Sequence, residues 1–151
     1  MINIIGLRKL TGQNAGTAKE KILGFLNSFD WAPESVSHKE EQIVITLIAQ
    51  LDIKEIKIEI KFSEKGHWIY FSTVFIQTIK HNAAEVYEKV LGINYSTTLT
   101  KFGLSPDGAL YALIEMPLQT LDYEEFVYAL RRLTNDINNY LIPIASISSK
   151  D

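Results

Sequence analysis

The sequence predicts an α+β protein built on an antiparallel sheet, with its elements in the order α-β-β-β-α-β-β-α. Three observations predict it. Segments near the start, middle and end carry apolar residues at the three-and-four spacing of a helix face. Other segments alternate, or run apolar, at strand length between short turn-rich links. Those strands fall into a group of three and a pair separated by a helix, which argues against a doubly wound parallel sheet.

The first helix is expected over about Ala18 to Phe29, with Ile22, Phe25, Leu26 and Phe29 on one face. Thr17 and Glu20 before it have the spacing of a capping box. Three strands follow. Ile43, Ile45, Leu47 and Ala49 alternate with Val44, Thr46, Ile48 and Gln50; Ile56, Ile58, Ile60 and Phe62 alternate with Lys57, Glu59 and Lys61; the third runs from Trp68 to Ile76. Short links make these neighbours antiparallel. The second helix is expected from Ala83 to Leu91, with Asn82 and Glu85 as capping box and Gly92 as C-cap. A hairpin follows, Tyr95 to Leu104 and Ala109 to Glu115, reversed at Ser105-Pro106-Asp107-Gly108. The last helix opens after Asp122, capped with Glu125. It carries Phe126, Leu130, Leu133, Ile137 and Leu141 on one face and stops at Pro143.

The chain has 151 residues, the size of one domain, so residues 1–151 are read as a single unit. A chain this long buries about 70 % of its unfolded surface and needs no metal or disulfide to hold a core. It carries 15 basic and 18 acidic residues, net −3, which argues against binding driven by nucleic-acid phosphates. With no cysteine there is no thiolate nucleophile and no cysteine-ligated metal. The apolar start precedes Arg8 and Lys9, the reverse of a secretory signal, and no apolar run reaches spanning length. The expectation is a cytoplasmic protein, in which the sequon Asn94-Tyr95-Ser96 has no consequence.

The segments Val90-Leu91-Gly92-Ile93-Asn94, Lys101-Phe102-Gly103-Leu104-Ser105-Pro106-Asp107-Gly108, Leu113 to Pro117 and Leu121-Asp122-Tyr123-Glu124-Glu125-Phe126 together resemble the YbjN-type family. That family is similar in fold to the type III secretion chaperones. Its pattern is a helix ending near Leu-x-x-Asn, a hairpin with Phe-Gly-Leu and Asp-Gly, and an acidic cap opening a long final helix. The resemblance implies a secretion-chaperone-like fold in a small monomer or homodimer. It also implies binding to another polypeptide without nucleotide hydrolysis.

Candidate chemistry is sparse. Gly12, Gly16, Thr17 and Lys19 miss the phosphate-loop spacing, with three residues between the glycines and Thr17 ahead of Lys19; a loop and helix cap explain them. His38, His67 and His81 have no metal-ligand spacing, and no metal or other cofactor is expected. Glu40-Glu41 and Glu124-Glu125 are adjacent pairs, and neighbours on a helix point about 100° apart; helix-dipole complementation accounts for Asp122, Glu124 and Glu125. The Ser/Thr run Tyr95 to Thr100 lacks a nucleophile elbow and reads as a strand. Lys54, Lys57 and Lys61 are diluted by Glu55 and Glu59.

The apolar excess on the strands carries more. Trp68, Tyr70, Val74 and Ile76 share one face of the third strand and Ile69, Phe71, Thr73 and Phe75 the other, and the first strand adds Val44 and Ile48. A sheet covered on one side should turn polar residues to water on the other. Either both faces are covered, or the second is a docking surface. The functional expectation is therefore a non-enzymatic protein-binding module holding a partner on Val44, Ile48, Trp68, Tyr70 and Val74. It is expected to dimerise through Tyr87, Leu91 and Tyr95. The alternative is a small-molecule-binding regulatory domain whose pocket lies between the sheet and the last helix, lined by Phe126, Tyr123 and Trp68.

Overall fold

The computed structural model describes residues 15–39, 42–63 and 66–150. Among these the chain forms α1 (Ala15–Ser28), β1 (Ser35–Lys39), β2 (Gln42–Gln50), β3 (Glu55–Phe62), β4 (Trp68–Ile76), α2 (Ala83–Ser96), β5 (Lys101–Leu104), β6 (Leu110–Pro117) and α3 (Tyr123–Ser149). The strands make one antiparallel sheet in the order β1-β2-β3-β4-β6-β5. The α+β class and the sequence of helices and strand groups are those predicted. The sheet carries one strand more, β1, whose Ser-Val-Ser-His-Lys has too little apolar alternation to announce itself. Its register against β2, Val36 opposite Ile45, is what defines it.

Alternation sends one set of side chains to a single face: Ile45, Leu47, Ile58, Ile60, Phe71, Phe75, Ala112 and Ile114. The helices pack there, through Ile22 and Leu26 of α1, Val86 and Val90 of α2, and Phe126, Leu130, Leu133 and Ile137 of α3. Phe126 sits at the junction, 5.4 Å from Phe25 and 5.7 Å from Phe71 between ring centroids. Phe75 meets Phe102 edge-on at 4.9 Å and ties the middle of the sheet to β5. Lys21 joins α1 to the segment before α3 by donating to the Leu118 carbonyl at 3.0 Å. Burial holds its ammonium below the ordinary lysine range, opposed by the charges of Asp122 and Glu125.

The three expected capping boxes have three fates. At α3 the box is complete: the Glu125 N–H donates to Asp122 Oδ1 at 2.8 Å and the Asp122 N–H to Glu125 Oε2 at 3.1 Å. At α2, Asn82 is the N-cap, but its side chain is used elsewhere. Its Nδ2 donates to the carbonyls of Ile147 and Lys150 and so anchors the far end of α3. At α1 the helix already includes Ala15 and Gly16, so Thr17 is a helical residue and not a cap. That helix ends in a Schellman arrangement: Asp30 takes φ 55°, and Trp31 N–H reaches the Leu26 carbonyl at 3.0 Å.

Two expected helix ends are overturned. α3 runs through Pro143 to Ser149. Proline removes one N–H and crowds one carbonyl. Here the ring is exposed, while Ile144 is fully buried and Ser148 Oγ accepts from the Lys80 N–H, so packing holds the last turns. α2 likewise runs past Gly92 to Ser96, and Tyr95 and Ser96 are helical, not strand. Thr97 closes it by donating its N–H to the Ile93 carbonyl at 2.8 Å, and the predicted strand over Tyr95–Thr100 shrinks to Lys101–Leu104. A Cβ on Gly92 would meet nothing within 4 Å. Gly92→Ala is therefore expected to stabilise the fold by about 0.5–1 kcal/mol in urea unfolding. A loss of stability would show that a neighbour closes on that position.

Candidate functional site: the open face of the sheet

No described helix packs on the sheet face opposite the core. Its side chains follow from register. Val44, Lys61, Tyr70 and Glu115 form one cross-strand row; Thr46, Glu59, Ser72, Leu113 and Lys101 the next; Val74 and Tyr111 pair beyond them, and Trp68 pairs with Pro117 at the near end. β3 places Lys57, Glu59 and Lys61 between β2 and β4. Lys61 pairs with Glu59 at 2.8 Å, and Lys57 lies 3.7 Å from Glu34.

This geometry divides the five residues expected to form one surface. Trp68, Tyr70 and Val74 lie together on β4. Val44 and Ile48 lie on β2, across the charged rib of β3. Trp68 is 45 % exposed, whereas Val44 is 3 % exposed and has almost no surface to offer. Tyr111, Leu113 and Pro117 of β6 complete the apolar half and were missed. Their alternation is visible in the sequence, but their place beside β4 depends on β6 crossing α2 to pair with it. Ile76 leaves the open face: a bulge between Val74 and Ile76 turns it onto the core.

The three residues expected at a dimer surface share one face of α2 at intervals of four. They stand out from it: Tyr87 is 38 % exposed, Leu91 67 % and Tyr95 95 %. Beside them Asn94 turns to β5. Its Oδ1 accepts the Phe102 N–H at 2.8 Å and its Nδ2 donates to the Phe102 carbonyl at 2.9 Å. The side-chain amide thus occupies the free edge of the outermost strand, a protection against unwanted strand pairing. It also consumes the group a glycan would need, so the sequon is a structural joint. Asn94→Leu is expected to cost about 2 kcal/mol, since Phe102 is nearly buried and loses both backbone partners. Unchanged urea stability in that variant would deny the clamp a structural role. Trp31 does a similar task at the other side of the sheet, donating Nε1 to the Ile48 carbonyl at 3.2 Å.

The other candidates do not assemble. Gly12, Glu40 and Glu41 lie outside the described residues; Gly16, Thr17 and Lys19 are helical in α1. Among the described residues, no three His, Asp or Glu side chains are placed to hold a metal ion. Glu124 and Glu125 sit in the first turn of α3, Glu125 engaged in the capping box. No described helix is long and apolar enough to cross a membrane. The pocket expected from Phe126, Tyr123 and Trp68 is overturned. Phe126 is fully buried among Phe25 and Phe71, with Tyr123 against Phe25, while Trp68 lies on the opposite face of the sheet.

Three helices on one face of a twisted antiparallel sheet, with the other face open, define the class: an α+β protein with the secretion-chaperone-like fold. The chain belongs to the YbjN family, described as "Putative bacterial sensory transduction regulator", which it matches over residues 18–140. Solved structures support the fold. The crystal structure of YbjN from E. coli is similar with TM-score 0.64 at 14 % identity, over 85 % of this chain and 91 % of that one. The ExsC–ExsE complex matches with TM-score 0.62 at 12 % identity, over 86 % and 96 %. The heterodimeric ExoU–SpcU complex of the Pseudomonas aeruginosa type III secretion system matches with TM-score 0.57 at 16 % identity, over 80 % and 94 %. Among proteins of curated function, none matches the sequence.

Proposed function

We propose that this protein is a cytoplasmic, non-enzymatic protein-binding module, chaperone-like or regulatory, which holds a partner polypeptide on the open face of its sheet. One observation carries the reading: Trp68, Tyr70 and Val74, joined by Tyr111 and Leu113, form an apolar strip with no described helix over it. Aromatic side chains of this kind anchor interfaces, because a large rigid surface is desolvated at little entropic cost. The likeness in fold to the HopA1–SchA chaperone–effector complex and to the ExsC–ExsE complex supports a protein as the partner. Ile48 and Val44 lie on the same face across the charged rib of β3, at the border of the surface, with Val44 offering almost no area of its own. A photo-crosslinker placed at Tyr70 should trap a polypeptide in cells, and one at Glu124, on the helix side, should not. Equal trapping at both positions would defeat the reading.

The same proposal includes a homodimer joined through the α2 stripe of Tyr87, Leu91 and Tyr95. Apolar side chains repeated every fourth residue and left this exposed are covered best by a second copy of the same helix. Leu91→Asp is expected to halve the mass seen by light scattering and to leave the circular dichroism spectrum unchanged. A wild-type protein that is already monomeric at about 100 μM, well above the micromolar dissociation constant that ~8 kcal/mol would give, would refute the dimer.

A further inference from the structure

The sheet is not paired along its full length. β3 and β4 form a ladder only between Glu59–Phe62 and Ile69–Ser72. Before it, residues 55–58 continue to pair with β2; after it, residues 73–76 continue to pair with β6. No ladder joins these two stretches. The sheet therefore opens like a V into two three-stranded lobes, β1-β2-β3 and β4-β6-β5, that meet at the β3–β4 hairpin. The unpaired stretch of β4 contains the bulge between Val74 and Ile76, where an extra residue bends the strand and steepens the local twist. Between the lobes lies a cleft of about 430 Å³, lined by Lys57 and Glu59 of β3, Ser72, Thr73 and Val74 of β4, and Tyr111 of β6.

The unpaired strand edges give this cleft the chemistry of a main-chain site. In an antiparallel ladder, alternate residues turn both N–H and C=O toward a given neighbour. Each four-residue stretch beyond the ladder therefore presents cleft-side N–H and C=O groups with no strand opposite, the condition that draws an added strand. Thr73, 3 % exposed, lines the cleft on the β4 side.

We propose that the β3–β4 cleft receives a short extended segment of a protein partner, which adds as a strand between the two lobes. This deepens the reading of the open face as a partner-binding surface and rests on it. The segment's side chains would alternate. One set points down past Ile56 and Phe75, which also line the cleft, and is small and apolar. The other lies beside Val74 and Tyr111 and is uncharged, because Lys57 and Glu59 already have ion-pair partners in Glu34 and Lys61. Recognition runs mainly through the backbone, so the sequence demand is loose.

The probe is a capped hexapeptide of alternating valine and threonine, added at millimolar concentration to the full chain, with amide hydrogen exchange followed by NMR. The cleft-side amides within residues 55–58 and 73–76 are expected to exchange freely in the free protein, and those that face β2 or β6 slowly. The peptide should slow those on the cleft side about tenfold or more, as new backbone hydrogen bonds form. The same peptide N-methylated at alternate residues should lose that protection. Failure to bind, binding that ignores N-methylation, or cleft-side amides already protected in the free protein would each overturn the cleft as a strand site. If the Tyr70 crosslinker still traps a polypeptide in that event, the open-face function stands and only the insertion falls.

Discussion

Replacing Phe126 with alanine should remove about 3–5 kcal/mol of folding stability, the range for deleting a fully buried phenylalanine. Phe126 is fully buried and belongs to the one core that all three helices share with the sheet. Its ring touches Phe25 of α1 on one side and Phe71 of β4 on the other. Alanine would leave a cavity where three elements meet, and none can close it without abandoning its own contacts. A domain of this size holds about 5–15 kcal/mol in total, so the variant keeps little margin. Thermal unfolding should fall by about 6 °C at the least, from the 2–4 °C per kcal/mol expected near this length. Urea titration with a shared m-value would measure it. A cost under about 1 kcal/mol would mean that the ring does not pack between those two partners.

The second large effect concerns binding. The double variant Trp68→Ala, Tyr70→Ala should weaken partner capture by more than about 30-fold, the worth of a hot spot of 2 kcal/mol or more. The same variant should unfold nearly where the wild type does. Trp68 is 45 % exposed and lies on the face away from the helices, so its truncation opens no core cavity. The two measurements separate the roles. Weak binding with intact stability assigns the residues to the surface. A melting point that collapses assigns them to the core and removes the reason to expect docking there. Capture that survives both truncations would move the partner site off β4.

Much of this molecule is legible in its residues. Asp122 and Glu125 announce the start of α3 because a short acceptor and a carboxylate three residues later satisfy orphan N–H groups locally. The α3 stripe from Phe126 to Leu141 is buried throughout, because 3.6-residue periodicity allows little else. The Leu-x-x-Asn pattern at Leu91–Asn94 also proved informative, though its purpose did not: only the fold brings Asn94 to the edge of β5. The helix ends at Gly92 and Pro143 were misread for a related reason. Each residue lowers local helix propensity by a modest amount, about 1 kcal/mol for glycine and about 3 kcal/mol for proline, and packing further along outweighs it. Asn82 shows the same contest in a hydrogen bond, with distant carbonyls of α3 taking the donor a local cap would have left idle.

The site divides in the same way. Alternation along β4 puts Trp68, Tyr70 and Val74 on one face whatever the sheet looks like, since side chains in a strand alternate with period two. It does not say which strands stand beside it. The sheet order brings Tyr111 and Leu113 next to β4, sets the charged side of β3 between β4 and β2, and opens the cleft beyond Ser72. Composition and periodicity alone determined the class, the core stripes and the two-faced greasiness of β4, because each depends on residues a few positions apart. Tertiary structure alone decided which greasy face is roofed, where strand pairing stops and whether a helix outlives its glycine or proline. Those outcomes come from contacts between residues far apart in sequence, whose summed packing exceeds any local preference.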